Sequence, residues 1–280
     1  MVLFFKRGSC VGGFLMAQVE EVEGIVLSVR NHRENDQLVK LFTNRFGKRM
    51  FFVKGTRKQA NKLKTAVLPF TKATYIADIR DTGLCFIRDA KEVEQYKSMQ
   101  TDIFLNAYAT YILSLADSAL EDGIVDSTLF HRIDRCLTEI DEKTDPEIVV
   151  NIFEIQILPY FGVAPEFRGC RVCGITEGVF DYSGSYGGLL CQNHWHLDKH
   201  RYHASRRAIH FVRLFSVVSL DQLGSINVKE ETKREIRTLI DMIYEESVGI
   251  KLKSKKFIDQ MYSWGDLLVN KRVPPEETTE

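Results

Sequence analysis

The hydrophobic period of this chain changes once, near Tyr96, and that change divides it into a β half and an α half. Up to about Val93 the apolar residues come in short runs: Val22-Glu23-Gly24-Ile25-Val26-Leu27, Leu38-Val39-Lys40-Leu41-Phe42, Arg49-Met50-Phe51-Phe52-Val53, Ala73-Thr74-Tyr75-Ile76 and Leu84-Cys85-Phe86-Ile87. Gly47 and Asp81-Thr82-Gly83 punctuate them as turns. Five short strands in about seventy residues suit a small barrel of the oligonucleotide-binding type.

After Tyr96 the spacing becomes three and four: Phe104, Tyr108, Tyr111, Ile112, Leu115; then Leu129, Ile133, Leu137, Ile140; then Ile148, Ile152, Ile155, Leu158. These are amphipathic helices, with start signals at Asp126-Ser127 and Thr144-Asp145-Pro146. Helical spacing resumes with Ile209, Val212, Leu214 and Phe215, then Ile236, Leu239, Ile240 and Ile243, then Phe257, Ile258, Met261 and Leu268.

Between the helical stretches lies a segment rich in Gly, Cys and His. Cys170-Arg171-Val172-Cys173 sets two thiolates around one point, and Cys191-Gln192-Asn193-His194 repeats the spacing. Two such pairs favour tetrahedral, structural zinc without an open position. The segment between them, with Ser183-Gly184-Ser185 at its tip, is expected to be a hairpin that returns the second pair to the first. His194 matches the spacing, while His196 and His200 compete for the fourth position. The isolated Cys10, Cys85 and Cys136 add no framework of disulfides, and a reducing compartment, the cytoplasm, is expected. Neither a deaminase His-x-Glu with Pro-Cys-x-x-Cys nor a protease His-Glu-x-x-His occurs, so the metal is expected to be structural and the chain not an enzyme.

The fold expected is therefore α+β and multi-domain: an oligonucleotide-binding-type barrel over 17–96, an all-α region over 97–162 and 201–270, and a zinc-binding insert over 163–200. Residues 1–16 read as a start-site extension ahead of Met16-Ala17, and 271–280 as a disordered tail. No run of eighteen apolar residues exists that would make a membrane-spanning helix.

Formal net charge is +0, so affinity for a polyanion has to come from uneven distribution. Between Arg30 and Lys72 there are twelve basic residues and only two acids, Glu34 and Asp36. Arg30, Arg33, Lys48, Arg49, Lys54, Arg57, Lys58, Lys62 and Lys64 are the candidates for phosphate contact, the densest part lying in a loop between strands. The first helical stretch is acidic, with Glu92, Glu94, Asp102, Asp117, Glu121, Asp122, Asp126 and Asp134, which cancels the total. Phe51, Phe52 and Phe70 are read as barrel core. Two later clusters, Lys251 to Lys256 and Arg201, Arg206, Arg207, Arg213, suit either DNA or an acidic partner tail.

In this order the parts resemble the RecO recombination mediators. The strings that carry the likeness are Gly24-Ile25-Val26-Leu27 leading to Glu34-Asn35-Asp36, Phe46-Gly47-Lys48, Lys54-Gly55, Gly187-Gly188-Leu189-Leu190-Cys191 and Gly249-Ile250-Lys251-Leu252-Lys253-Ser254, spread over residues 17 to 268. The chain departs from many zinc-bearing relatives by having His194 where they have a fourth cysteine. The resemblance implies binding of single- and double-stranded DNA and annealing of strands coated with single-strand-binding protein. It also implies loading of RecA together with RecR, at the nucleoid and with no catalytic residue. Competing readings from the residues alone are an RNA-binding barrel and zinc factor, or a zinc-containing protein-interaction adaptor.

Overall fold

A computed structural model describes residues 18–270 apart from 57, 59, 60, 143 and 223–226; for 18, 222 and 263–270 it describes the backbone only. The expectations for residues 1–16, the 271–280 tail and Arg57 lie outside the described residues.

Five strands, β1 (Gln18–His32), β2 (Asp36–Thr43), β3 (Gly47–Val53), β4 (Thr71–Ile79) and β5 (Cys85–Gln95), close on themselves in the order β1-β2-β3-β5-β4. β1 is not short. Its fifteen residues let Gln18–Ile25 pair with β4 while Gly24–His32 pair with β2, and a bulge between Val26 and Ser28 bends it from one neighbour to the other. Strict alternation along β4, Thr71 to Ile79, turns Ala73, Tyr75 and Ala77 inward to meet Val39, Leu41, Phe51 and Val53. The Tyr75 hydroxyl is satisfied by donating to the Ala66 carbonyl at 2.5 Å.

The helices α1 (Lys97–Thr101), α2 (Ile103–Ala119), α3 (Ser127–Asp141), α4 (Pro146–Ile157), α5 (Arg206–Val217), α6 (Glu230–Ile243) and α7 (Lys253–Asn270) share a second core. Side chains of Asp102, Asp126, Asp145 and Ser205 accept amide hydrogens at the starts of α2, α3, α4 and α5, with Pro146 in the first turn of α4. The spacing of Ile148, Ile152 and Ile155 suggested a one-sided helix, but Val149, Val150, Phe153 and Ile157 are buried as well. α4 packs against α2, α3, α5 and α6, so it is the central helix and has no solvent face.

The barrel is fastened to the helices by apolar and ionic contacts. Ile25, Phe42 and Phe70 belong to the helical core. Lys40 pairs with Asp117 at 2.5 Å and Asp122 at 3.1 Å, Lys48 with Asp117 at 3.0 Å, and Lys72 with Asp134 at 2.7 Å. The turn between β2 and β3 docks on the α2–α3 loop: the Gly123 amide donates to the Lys48 carbonyl, and a Cβ on Gly47 (φ +64°) would sit 2.1 Å from the Ile124 carbonyl oxygen. Phe46-Gly47-Lys48 is thus a joint between barrel and helices.

The insert folds as β6 (Glu166–Cys170), β7 (Phe180–Ser183) and β8 (Gly188–Cys191), in the order β6-β8-β7, followed by a 3-10 turn over Gln192–Leu197. β7 and β8 form the expected hairpin. Phe167, Phe180, Tyr182, Leu189 and Leu190 are buried and continuous with the helical core, so the sheet is stabilised by its packing on α5.

Candidate nucleic-acid interface and metal centre

One end of β6, the end of β8 and the 3-10 turn after it bring Cys170, Cys173, Cys191 and His194 together, with all four ligand atoms within 4.8 Å of one another. Cys173 Sγ and Cys191 Sγ are 3.8 Å apart, and His194 Nδ1 lies 3.5 Å from Cys170 Sγ and 3.2 Å from Cys191 Sγ. Ligands about 2.0–2.3 Å from a central ion at tetrahedral angles have edges of this size. The set fits one metal ion. His196 is exposed with its ring 6.4 Å from that of His194, and neither it nor His200 joins the cluster. Burial raises the Cys170 thiol, but backbone amides at Cys191, Cys173 and Val172 outweigh it and bring the thiol down to about 6. That favours the thiolate that binds metal. Gly174 (φ +73°) lets the turn close, its amide donating to Cys170 O while the Cys170 amide donates to Ile175 O.

The candidate phosphate contacts divide into two groups. Arg30, Arg33, Lys54, Lys58, Lys62 and Lys64 are exposed and gather at one end of the barrel, where the β1–β2 turn meets the loop after β3. Asp36 joins the two by accepting the Gly55 amide at 2.9 Å, and Asn61 caps the 3-10 turn Lys62–Lys64 that carries two of the lysines. Lys48 departs from the expectation. It is 2% exposed, donates to the Asp117 carbonyl and carboxylate, and faces α2 instead of solvent. Arg49 is half-buried and donates to the carbonyls of Phe46, Arg80 and Asp81, so it holds the β4–β5 turn in place. The charge count in the sequence therefore overstated the free cations: Lys40, Lys48 and Lys72 are neutralised by Asp117, Asp122 and Asp134 of the helical stretch that cancels the total charge. The Asp117 carboxyl, although partly buried, is held below its usual range by Lys40 and Lys48.

The later basic clusters divide in the same way. Arg201 pairs with Asp181 at 3.0 Å and lies over Trp195; Arg213 lies over Phe180 and donates to the carbonyls of Arg168 and Thr176. Lys255 is held between Asp241 and Asp259. Arg206, Arg207, Lys251, Lys253 and Lys256 remain exposed.

A cleft of about 560 Å³ lies between α3, the end of α4, the start of the insert and the end of α5. Ile155, Pro159, Pro165, Phe167, Val217 and Leu220 supply its apolar wall; His131, Arg132 and Arg135 supply its basic edge. Val217 is 67% exposed, a large apolar side chain left facing solvent at the cleft. Arg135 also pairs with Glu139 and Asp221. Nothing local in the sequence marks this cleft, because its residues come from four segments.

A closed five-stranded barrel with a basic end, packed directly on a helical bundle whose inserted sheet carries a Cys3His cluster, matches the class of nucleic-acid accessory proteins; no helix among the described residues is long and apolar enough to cross a membrane. Family profiles described as "Recombination protein O N terminal" and "Recombination protein O C terminal" match residues 16–96 and 100–256. The chain is 53% identical to the DNA repair protein RecO of Enterococcus faecalis over 93% of its own length and 98% of the relative's. It is 48% identical to that of Latilactobacillus sakei over 92% and 95%, and 50% identical to that of Levilactobacillus brevis over 88% and 95%. The chain belongs to the RecO family of DNA repair and recombination proteins.

Proposed function

We infer that this protein binds single- and double-stranded DNA through the exposed basic end of its barrel and anneals complementary strands coated with single-strand-binding protein. Together with RecR it helps to load RecA, in the cytoplasm at the nucleoid. The observation that carries this reading is the gathering of Arg30, Arg33, Lys54, Lys58, Lys62 and Lys64 at one end of a nucleic-acid-type barrel in a RecO-family chain. Annealing needs two polyanions brought together. A cationic surface screens their repulsion, and base pairing between the strands supplies the specificity and the driving force, so no catalytic group is involved. The 17–96 barrel, the helices of 97–162 and 201–270, and the 163–200 insert would each contribute a surface to this task.

The cleft lined by Arg132, Arg135 and His131 suits the acidic, apolar tail of single-strand-binding protein, since carboxylates can meet the guanidinium groups while apolar side chains enter against Phe167 and Val217. The Cys170, Cys173, Cys191 and His194 cluster would hold one structural Zn2+. Held there, it would tie β6, β8 and the turns after them together, with Cys170, Cys173 and Cys191 supplying thiolates and His194 an imidazole Nδ1.

The test is annealing of complementary oligonucleotides precoated with the cognate single-strand-binding protein, across a salt series. Acceleration that fades with salt is the expected result. For single strands alone, affinity should fall with a log-log slope near ~−0.7 per phosphate neutralised. No acceleration at any salt by folded, metal-loaded protein would overturn the reading.

A further inference from the structure

Alternation on β3 buries Phe51 completely and turns Phe52 outward, half-buried. On β5 the same alternation places Cys85 and Ile87 inside and Phe86 outside. Phe52 pairs with Leu38 of β2 on one side and with Phe86 of β5 on the other; Leu38 pairs with Arg30 of β1, and Phe86 with Asp78 of β4. One outward row therefore crosses all five strands, with adjacent positions about 5 Å apart. His32 widens it: its ring is 5.9 Å from that of Phe52 at 83°, and the Phe52 and Phe86 rings are 5.8 Å apart at 62°.

Neither Phe52 nor Phe86 belongs to the barrel core or the helical core. Rings left on the outer face of a closed barrel contribute only cross-strand contacts to stability. Their surroundings are cationic. The exposed Arg80 guanidinium lies 4.6 Å over the Phe86 ring, and the exposed Arg88 neutralises Asp78, the acid of the row, at 2.9 Å. Arg33 follows His32 directly, Lys54 comes two residues after Phe52, and Lys54, Lys62 and Arg88, three cations against the one acid Asp89, border one surface cavity. Outward aromatic rings on neighbouring strands, with guanidinium and ammonium groups around them, match a single strand, whose bases need π-faces and whose phosphates need positive charge. Bases in a duplex are already stacked on one another and cannot turn toward the sheet.

We propose that His32, Phe52 and Phe86 form a stacking platform for the unpaired bases of single-stranded DNA, so that the barrel distinguishes single strands by rings and holds duplex by phosphate contacts alone. This rests on the barrel being a DNA-binding surface, and it adds which residues read the unpaired state. The rings also give annealing a directional logic: bases leave the platform when they pair, because the duplex no longer offers them.

The test compares Phe52→Leu/Phe86→Leu and His32→Ala with the parent protein, on oligo-dT and on a mixed-sequence duplex over several salt concentrations. Affinity for oligo-dT should fall about tenfold for each ring removed. Affinity for duplex should stay within about twofold and both salt slopes should stay as in the parent, since the phosphate contacts are kept. Equal losses on both ligands, or an unchanged affinity for oligo-dT, would overturn the platform. A parent protein that binds neither ligand would instead sink the underlying DNA-binding reading. Independently of the leucine variants, the added emission of Phe52→Trp over that of the parent should be quenched by oligo-dT and not by duplex; a tryptophan that oligo-dT leaves unquenched would also overturn the proposal.

Discussion

Lys48 stands beside Gly47 in a stretch dense with positive charge, yet its ammonium group is enclosed by the Asp117 carboxylate and carbonyl. Removing one partner of a buried pair leaves the other charge desolvated, so Lys48→Met is expected to lower unfolding free energy by about 3 kcal/mol in urea titrations while leaving DNA affinity within twofold. Lys58→Glu with Lys62→Glu should show the reverse pattern: an unchanged urea midpoint, and weaker binding to every sequence alike. Glu154 is a residue the sequence did not single out. It is 4% exposed in the middle of α4 and accepts the Tyr111 hydroxyl at 2.6 Å, and burial, opposed by the Tyr111 hydrogen bond and by Lys255, pushes its carboxyl up to about 7. Its folded value exceeds the unfolded value, so the folded state binds the extra proton between about pH 4.5 and 7 and the protein loses stability as pH rises through that window. Glu154→Gln should therefore stabilise the protein by about 2–3 kcal/mol at pH 8, with the gain vanishing below about pH 4.5. Melting curves at the two pH values test this; a gain that is equal at both would refute it.

The elements differ in how much of their stability is local. β4 is specified by its own alternation and pairs on both sides. The β7–β8 hairpin is four residues a side and leans on the metal cluster and on α5. Treating the protein with a chelator, or substituting Cys173→Ser in the proposed metal site, is expected to loosen this sheet and shift the emission of Trp195, whose indole N–H donates to the Leu190 carbonyl at 3.0 Å. Oligo-dT binding by the barrel should persist, because the barrel has its own core. The β2–β3 turn is specified by a tertiary contact. With a left-handed Gly47 and the Ile124 carbonyl 2.1 Å from where a Cβ would stand, Gly47→Ala should cost about 3 kcal/mol or more, read as a fall in the urea midpoint.

At the scale of the whole molecule the near-zero net charge separates into an internal part and an external part. Lysines of the barrel and aspartates of α2 and α3 neutralise one another across the junction, which leaves a smaller exposed basic end than the sequence count suggested. That end and the cleft beside Arg132 are on different elements, so the two proposed binding functions should separate. Arg132→Glu is expected to weaken binding of an acidic tail peptide at least about tenfold, with oligo-dT affinity unchanged. Peptide titration by fluorescence anisotropy measures the first and an oligonucleotide shift the second; joint loss of both would place them on one surface.

What could be read along the chain was whatever repeats locally. The change of period at Tyr96 carries the order of barrel and helices, the Asp and Ser caps carry the helix starts, and Cys170, Cys173, Cys191 and His194 carry their meaning in spacing because a metal ion needs its ligands on a common centre. The length of β1, the full burial of α4, the fate of Lys48 and the cleft were not legible, since each depends on which distant segment arrives next to it. Phe51 and Phe52 show the difference within one dipeptide: both read as core, and strand pairing turned one into the barrel and the other to its outer face. Local chemistry and spacing determined the elements and the Cys3His cluster; strand pairing decided which rings face outward, and the packing of barrel against bundle decided which charges stay exposed, because burial and ion pairing are properties of neighbours that the chain brings together over long range.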